Sequence, residues 1–330
     1  MAMTTLAEAV RDTLAQEMRR DESIVVMGHA VGTMGGVFHA TEGLLQEFGE
    51  DRVIDMPLDE GGVVGAAVGM ALYGLRPVAE IQLADFVYPG LDQIISEAAK
   101  LRYRSGGQYR CPLVVRVPYG GGVGGGPYQS QSPEAFFTHT PGLVVVAPST
   151  AADAAGLLRT ALRGEDPVVL MEPKALYGVA AAAAETADAV ADDQFALPFG
   201  VAARLRRGDD VTLVAYGAMV HPAQQAAEQA AAHGVEVDVL DLRTLMPFDI
   251  GALLESVAKT GRAVLVQEAP RSCGYAAELA AVLAEKAIFH LQAPVLRVTG
   301  FDTPFSHAAE HTYVPDSDRV LGAIRAVAEF

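Results

Sequence analysis

Apolar residues recur along this chain in two alternating rhythms. Leu6, Val10, Leu14 and Met18 fall at helical spacing within Leu6 to Arg20, and the run SIVVMG behind them is short, apolar and ended by Gly28. This predicts a helix followed by a buried strand. The switch then repeats. RVIDMP (52–57), RPVAEIQ (76–82), PLVVRVPY (112–119), LVVVAPS (143–149) and PVVLMEP (167–173) read as strands. GGVVGAAVGMALYG (61–74), the segment from Leu91 to Tyr103 and AADAAGLLRTALR (151–163) read as helices. Continuously apolar strands alternating with helices imply a parallel sheet covered on both faces. Residues 179–199, rich in Ala and acids without a clear apolar face, are expected to be a linker or exposed excursion. Beyond them the pattern restarts with DVTLVAYG (210–217), a helix from Pro222 to Gly234, VEVDVLDL (235–242) and a helix around Leu253. AVLVQEA (263–269), a helix over about 275–290 and PVLRVTG (294–300) complete it. The expected organisation is α/β, with domains at 1–178 and 200–330.

Composition narrows the function. At 330 residues, 51% hydrophobic and 20% charged, the chain is ordered and long enough for two cores. A formal net charge of −17 excludes a nucleic-acid surface, which needs clustered Lys and Arg. Cys111 and Cys273 stand far apart, so neither a disulfide framework nor a zinc cluster is indicated, and a reducing cytoplasm is the expected compartment. Residues 1–20 lack the apolar core of a signal peptide, and no run of about 18 apolar residues is present to span a membrane.

Three places can carry chemistry. Asp59 and Glu60 follow a strand and open a glycine-rich helix, where open parallel sheets build their sites and negative charge is favoured; either acid can equally cap that helix. Ala84-Asp85-Phe86-Val87-Tyr88 follows the next strand, and its aromatics suit a flat heterocycle or an ordinary core. Between Tyr119 and Pro127, six of seven residues are glycine, which permits close backbone approach to a ligand or marks a mobile surface loop. It lacks the Lys-Ser/Thr ending of a P-loop. No G-x-S-x-G elbow or H-E-x-x-H motif is present.

Read together, these segments resemble the beta subunits of pyruvate, branched-chain 2-oxo acid and acetoin dehydrogenases. The similarity covers nearly the whole chain. It runs through GGVFHATEGLLQEFG (35–49), the stretch 52–108, PYGGGVGGG (118–126), SPEAFFTHTPGLVVVAPS (132–149), DPVVLMEPKALY (166–177), LRTLMPFD (242–249) and VQEAPRSCGYAAELA (266–280). The resemblance implies a transketolase-like fold, with a thiamine-diphosphate pyrimidine-binding domain followed by a transketolase C-terminal domain. It implies that Glu60 hydrogen-bonds the aminopyrimidine ring nitrogen, promoting the imino tautomer that removes the thiazolium proton. Leu58 matches a residue packing near the cofactor and Phe86 an aromatic contacting the pyrimidine. A structural potassium site is implied near Ala161, Gly164 and Asp166. The Gly-Asp-Gly motif that holds the diphosphate and Mg²⁺ is missing; Gly208-Asp209-Asp210 lacks its second glycine. In the family that motif belongs to a separate alpha subunit, so an α2β2 heterotetramer and a lipoyl-bearing acyltransferase core are the implied partners.

Two departures concern the reaction. The family's His-Ser-Gln reads Gln129-Ser130-Gln131, and glutamine cannot take up a proton near neutral pH. The usual Gly-Glu-Asp-Val-Gly reads Gly28-His29-Ala30-Val31-Gly32, leaving His29 to replace a lost acid or to cap a loop. The expected activity is decarboxylation of a 2-oxo acid with acyl transfer to lipoamide. The alternative is a two-subunit carboligase passing the acyl unit to a carbonyl acceptor. A cofactor-free scaffold is disfavoured by retention of Glu60 and Phe86.

Overall fold

The computed structural model describes residues 4–181 and 184–330. They form two compact units, one of residues 1–119 and 136–199, the other of residues 120–135 and 200–330.

The first unit opens on the helix Leu6–Arg20. Thr5 and Glu8 form a reciprocal cap: the Glu8 amide donates to Thr5 Oγ1 at 3.2 Å and the Thr5 amide to Glu8 Oε2 at 2.8 Å. Leu6, Val10, Leu14 and Met18 are all buried, each adding roughly 1.5–3 kcal/mol by leaving water. Parallel strands follow in the spatial order Val144–Val146, Val168–Pro173, Val114–Tyr119, Arg76–Glu80, Ile24–His29, Val53–Met56. The helices Glu60–Leu72 and Ala151–Arg163 alternate with them. The predicted helix from Leu91 begins earlier, at Tyr88–Asp92, because Pro89 is tolerated in a first turn. It continues through a π-helical stretch, Gln93–Ala98, into Ala99–Arg104.

The segment 179–199 differs from the expected linker, although residues 182 and 183 lie outside the described ones. Ala180–Ala181 pairs antiparallel with Thr4–Thr5, and Ala184–Ala191 is a helix. Val190 is buried with Ala9, Ala151 and Ala155. The anchor is Arg159, whose guanidinium donates to the carbonyls of Ala189 (3.3 Å), Val190 (2.6 Å) and Phe195 (2.9 Å). One buried cation seeking acceptors thus fixes a segment that has no apolar stripe to announce its docking.

In the second unit the strand order is Leu296–Val298, Ala263–Val266, Val211–Ala215, Val237–Asp241, Ala203–Arg206, with the last antiparallel. That edge strand, ARLR, carries no apolar run, and Arg204 and Arg206 are paired with Asp238 and Glu236 instead. The helices Val220–Ala231, Ile250–Thr260 and Tyr275–Lys286 fall where the pattern placed them. A further helix, Ser317–Ala328, is capped by Asp316 and buries Val320, Ile324 and Val327.

Candidate active site

In the first unit, three adjacent strands end together. Ile24–His29 lies between Val53–Met56 and Arg76–Glu80, with His29 opposite Met56 and Gly28 opposite both Asp55 and Glu80. Because the three strands are parallel, His29 and the segments carrying Leu58, Glu60 and Phe86 all leave the same edge of the sheet.

The two acids at the head of the Glu60–Leu72 helix divide their roles. Asp59 is the cap, its Oδ1 accepting the Gly62 amide at 3.1 Å. Glu60 is only 8% exposed, and no hydrogen bond or ion pair engages its carboxylate among the described residues. The residue is mostly covered while its carboxylate keeps its acceptor capacity for an incoming donor. The helix head sits tightly on the turn after Phe86: a Cβ on Gly90 would lie 2.9 Å from the Glu60 carbonyl oxygen, and one on Gly61 3.2 Å from that of Pro89. Glycine at both positions lets Glu60 and the Ala84–Phe86 turn approach each other. Phe86 is half-buried, whereas Leu58 is exposed, offering an apolar surface at the mouth of the strand ends.

His29 begins a loop gripped by Asp55, which accepts the amides of Gly32 at 2.6 Å and Thr33 at 3.0 Å. Burial alone would raise the Asp55 carboxyl; these donors outweigh it and, with His29 nearby, hold it below the usual range. Asp55 was not singled out in the sequence, since one acid within a strand carries no local signal.

Gln129 lies in the 120–135 segment of the second unit and is exposed, just after the turn Gly126–Tyr128. The preceding glycines are not loose. The Gly121 amide donates to Glu268 and the Gly122 amide to Glu310. Gly208-Asp209-Asp210 is a structural turn: a Cβ on Gly208 would lie 2.3 Å from the Val237 carbonyl carbon, and Asp210 accepts the Glu236 amide at 2.6 Å. These acceptors are unlike a diphosphate cradle.

Ala161 lies in the last turn of the helix Ala151–Arg163 and Gly164 and Asp166 just beyond it, with their acceptors partly engaged. The Ala161 carbonyl accepts the Gly164 amide at 3.1 Å. The Gly164 carbonyl accepts Arg76 at 2.5 Å, and both Asp166 oxygens accept Arg102 at 2.7 Å. Among the described residues no group of His, Cys, Asp and Glu is arranged to hold a metal ion, and no helix is long and apolar enough to cross a membrane.

Comparison with known proteins gives this arrangement a family. Residues 2–179 match the model of the transketolase pyrimidine binding domain, and residues 200–320 that of the transketolase C-terminal domain. The 2-oxoisovalerate dehydrogenase subunit beta of Pseudomonas aeruginosa is 46% identical over 335 residues, covering 98% of this chain and 95% of its own. That of Bacillus subtilis is 45% identical over 333 residues, covering all of both chains, and the pyruvate dehydrogenase E1 component subunit beta of the same organism is 44% identical over 332. A solved chain described as a split gene transketolase, inactive beta4 tetramer, superposes with a TM-score of 0.81 over 99% of both chains at 23% identity, which speaks to the fold alone. The chain belongs to the beta subunits of the thiamine-diphosphate-dependent 2-oxo acid dehydrogenases, built from transketolase pyrimidine-binding and C-terminal domains.

Proposed function

We propose that this chain holds the aminopyrimidine end of thiamine diphosphate and acts in an α2β2 heterotetramer. An alpha-type subunit would hold the diphosphate and Mg²⁺, since the Gly-Asp-Gly motif that holds them in the family is missing from this sequence. The observation that carries the reading is Glu60, a residue mostly covered by its surroundings whose carboxylate makes no hydrogen bond or ion pair among the described residues. When bound, the cofactor supplies a nucleophilic carbon for the 2-oxo carbonyl. Glu60 shares a proton with the ring nitrogen and so sets the basicity of the exocyclic amine. Phe86 offers a face to the pyrimidine, Leu58 packs beside it, and His29 borders it from the neighbouring strand end. Gln129 orients the acyl unit through hydrogen bonds on its way to lipoamide, without carrying a proton. A lipoyl-bearing acyltransferase core is the downstream partner. A potassium ion near Ala161, Gly164 and Asp166 would use lone pairs that Arg76 and Arg102 leave free.

The names of the relatives make 2-oxoisovalerate and pyruvate the substrates to supply, and favour lipoamide over a carbonyl acceptor. The test uses the chain co-purified with its alpha-type partner, thiamine diphosphate and Mg²⁺. Acylation of an isolated lipoyl domain is followed by mass spectrometry while released CO2 is counted. Acylated carrier in step with CO2 is expected, and CO2 without acylated carrier would overturn the dehydrogenase reading. Glu60→Gln should lower turnover by about 10²–10⁴-fold with assembly intact. Full activity in that variant would sink the role given to Glu60.

A further inference from the structure

The loop between His29 and Thr41 takes a costly path. Ala30, Phe38 and His39 all have positive φ (54°, 53° and 61°), a region that side chains with a Cβ rarely adopt. Such a path persists only when its surroundings over-determine it.

They do so through a closed ring of contacts. The Val37 amide donates to Glu80 Oε1 at 3.0 Å. Glu80 Oε2 accepts Arg116 Nη1 at 2.6 Å, and Arg116 Nε and Nη2 donate to Glu172 at 2.7 and 2.8 Å. Glu172 accepts the Tyr177 hydroxyl. The Tyr177 ring is stacked on Phe38, with centroids 4.8 Å apart and planes 20° from parallel, and Phe38 adjoins Val37 in the chain. Glu80, Arg116, Glu172 and Tyr177 are all buried, yet Phe38 is 42% exposed. A phenylalanine serving only the core would be covered. This one presses a single face on Tyr177 while the loop carries it into a disfavoured conformation. Two carboxylates around one guanidinium are also a poor way to stabilise a core, and a good way to specify one arrangement. Burial and Glu172 push the Tyr177 hydroxyl well above its usual range, so it stays a donor.

We propose that the ring Glu80–Arg116–Glu172–Tyr177–Phe38 is a positioning device that sets the 30–41 loop and, through it, the His29 edge of the thiamine diphosphate site. The proposal rests on His29 bordering the cofactor. None of the ring residues is a catalytic residue; they act through the loop backbone.

The test uses four variants in the assembled enzyme: Phe38→Ala, Phe38→Tyr, Tyr177→Phe and His29→Ala. Phe38 is exposed enough to be replaced without opening a core. Three quantities are measured: hydrogen exchange of the amides in 31–41, thiamine diphosphate affinity by titration, and turnover at saturating cofactor. Phe38→Ala and Tyr177→Phe should speed exchange at Val37 and weaken cofactor binding about fivefold, the worth of one aromatic contact or one hydrogen bond. Turnover at saturation should hold within about twofold, a split that general destabilisation would not give. Phe38→Tyr, which keeps the stacked ring, should match the wild type. Unchanged exchange and affinity in Phe38→Ala and Tyr177→Phe would overturn the ring itself. Faster exchange with unchanged affinity, both there and in His29→Ala, would instead overturn the placement of His29 and with it the link to the cofactor.

Discussion

Glu134 shows how much a single residue can hide. It is fully buried, its Oε1 accepts the Tyr216 hydroxyl at 2.5 Å, and its Oε2 has no partner among the described residues. Burial pushes the carboxyl up to about 7 from an ordinary 4.5, with the Glu268 charge adding to the rise and the Tyr216 hydroxyl opposing it. The folded form therefore binds a proton that the unfolded chain has released between those two values. Its contribution is present below about pH 4.5 and lost as pH rises through about 7, amounting to about 3 kcal/mol. Glu134→Gln keeps an acceptor for Tyr216 but cannot ionise, so its thermal midpoint should overtake that of the wild type between pH 5 and 8. Parallel midpoints across that range would refute the buried proton. Within SPEAFF this residue reads only as an acid at a helix start, because Tyr216 and Glu268 are remote in sequence. Glu60 was legible because the whole of PLDEGG frames it, and the structure then separated it from Asp59 by giving the cap to the latter. Gln129 was legible as a departure, and its effect is open to measurement. Gln129→His restores a group that titrates near neutrality, so lipoyl acylation should rise relative to CO2 release. An unchanged ratio would show that the hand-off does not depend on this position.

Among elements, the parallel strands were readable because burial on both faces makes them continuous apolar runs. The edge strand Ala203–Arg206 and the helix Ala184–Ala191 were not, since ion pairs fix the first and Arg159 with a single valine fixes the second. The glycine-rich loop is the instructive case, because its composition left a mobile surface loop and a close approach equally open. Its positive φ at Gly120, Gly122, Gly124 and Gly126 requires glycine, and its amides are fixed on the carboxylates of Glu268 and Glu310. Gly121 has no such φ, so steric room alone decides there. A Cβ would lie 2.7 Å from Phe305 Cζ and 2.9 Å from Glu310 Oε1. Gly121→Ala should destabilise the chain by about 1–3 kcal/mol. Because the loop leads to Gln129, it should also lower lipoyl acylation more than CO2 release. Equal loss of both in a titration of the lipoyl domain would mean that the loop serves folding alone.

For the whole molecule, the proposed division of the cofactor between two chains calls for a surface on this chain that suits a partner. Its acceptors can take a pyrimidine, while the turn at Gly208-Asp209-Asp210 is occupied with backbone packing and cannot cradle a diphosphate. Tyr73 and Tyr103 in the first unit are 91% and 94% exposed, and Phe289 in the second is fully exposed. Aromatic side chains left in water in this way are the anchors that interfaces enrich. The net charge of −17 keeps such a surface soluble until a partner arrives, and favours a basic one. Sequence showed the missing motif but not these anchors, since an exposed tyrosine and a buried one look alike until the helix ends are placed. Tyr103→Ser should leave the isolated chain's thermal midpoint nearly unchanged, because little of that ring is buried within it. The same change should weaken association with the alpha-type subunit by about 2 kcal/mol, the cost of losing one interface anchor. Size-exclusion chromatography with light scattering, run at falling concentration, reads that loss directly. Wild-type assembly in the Tyr103→Ser, Tyr73→Ser and Phe289→Ser variants alike would mean that the alpha-type subunit binds elsewhere on this chain.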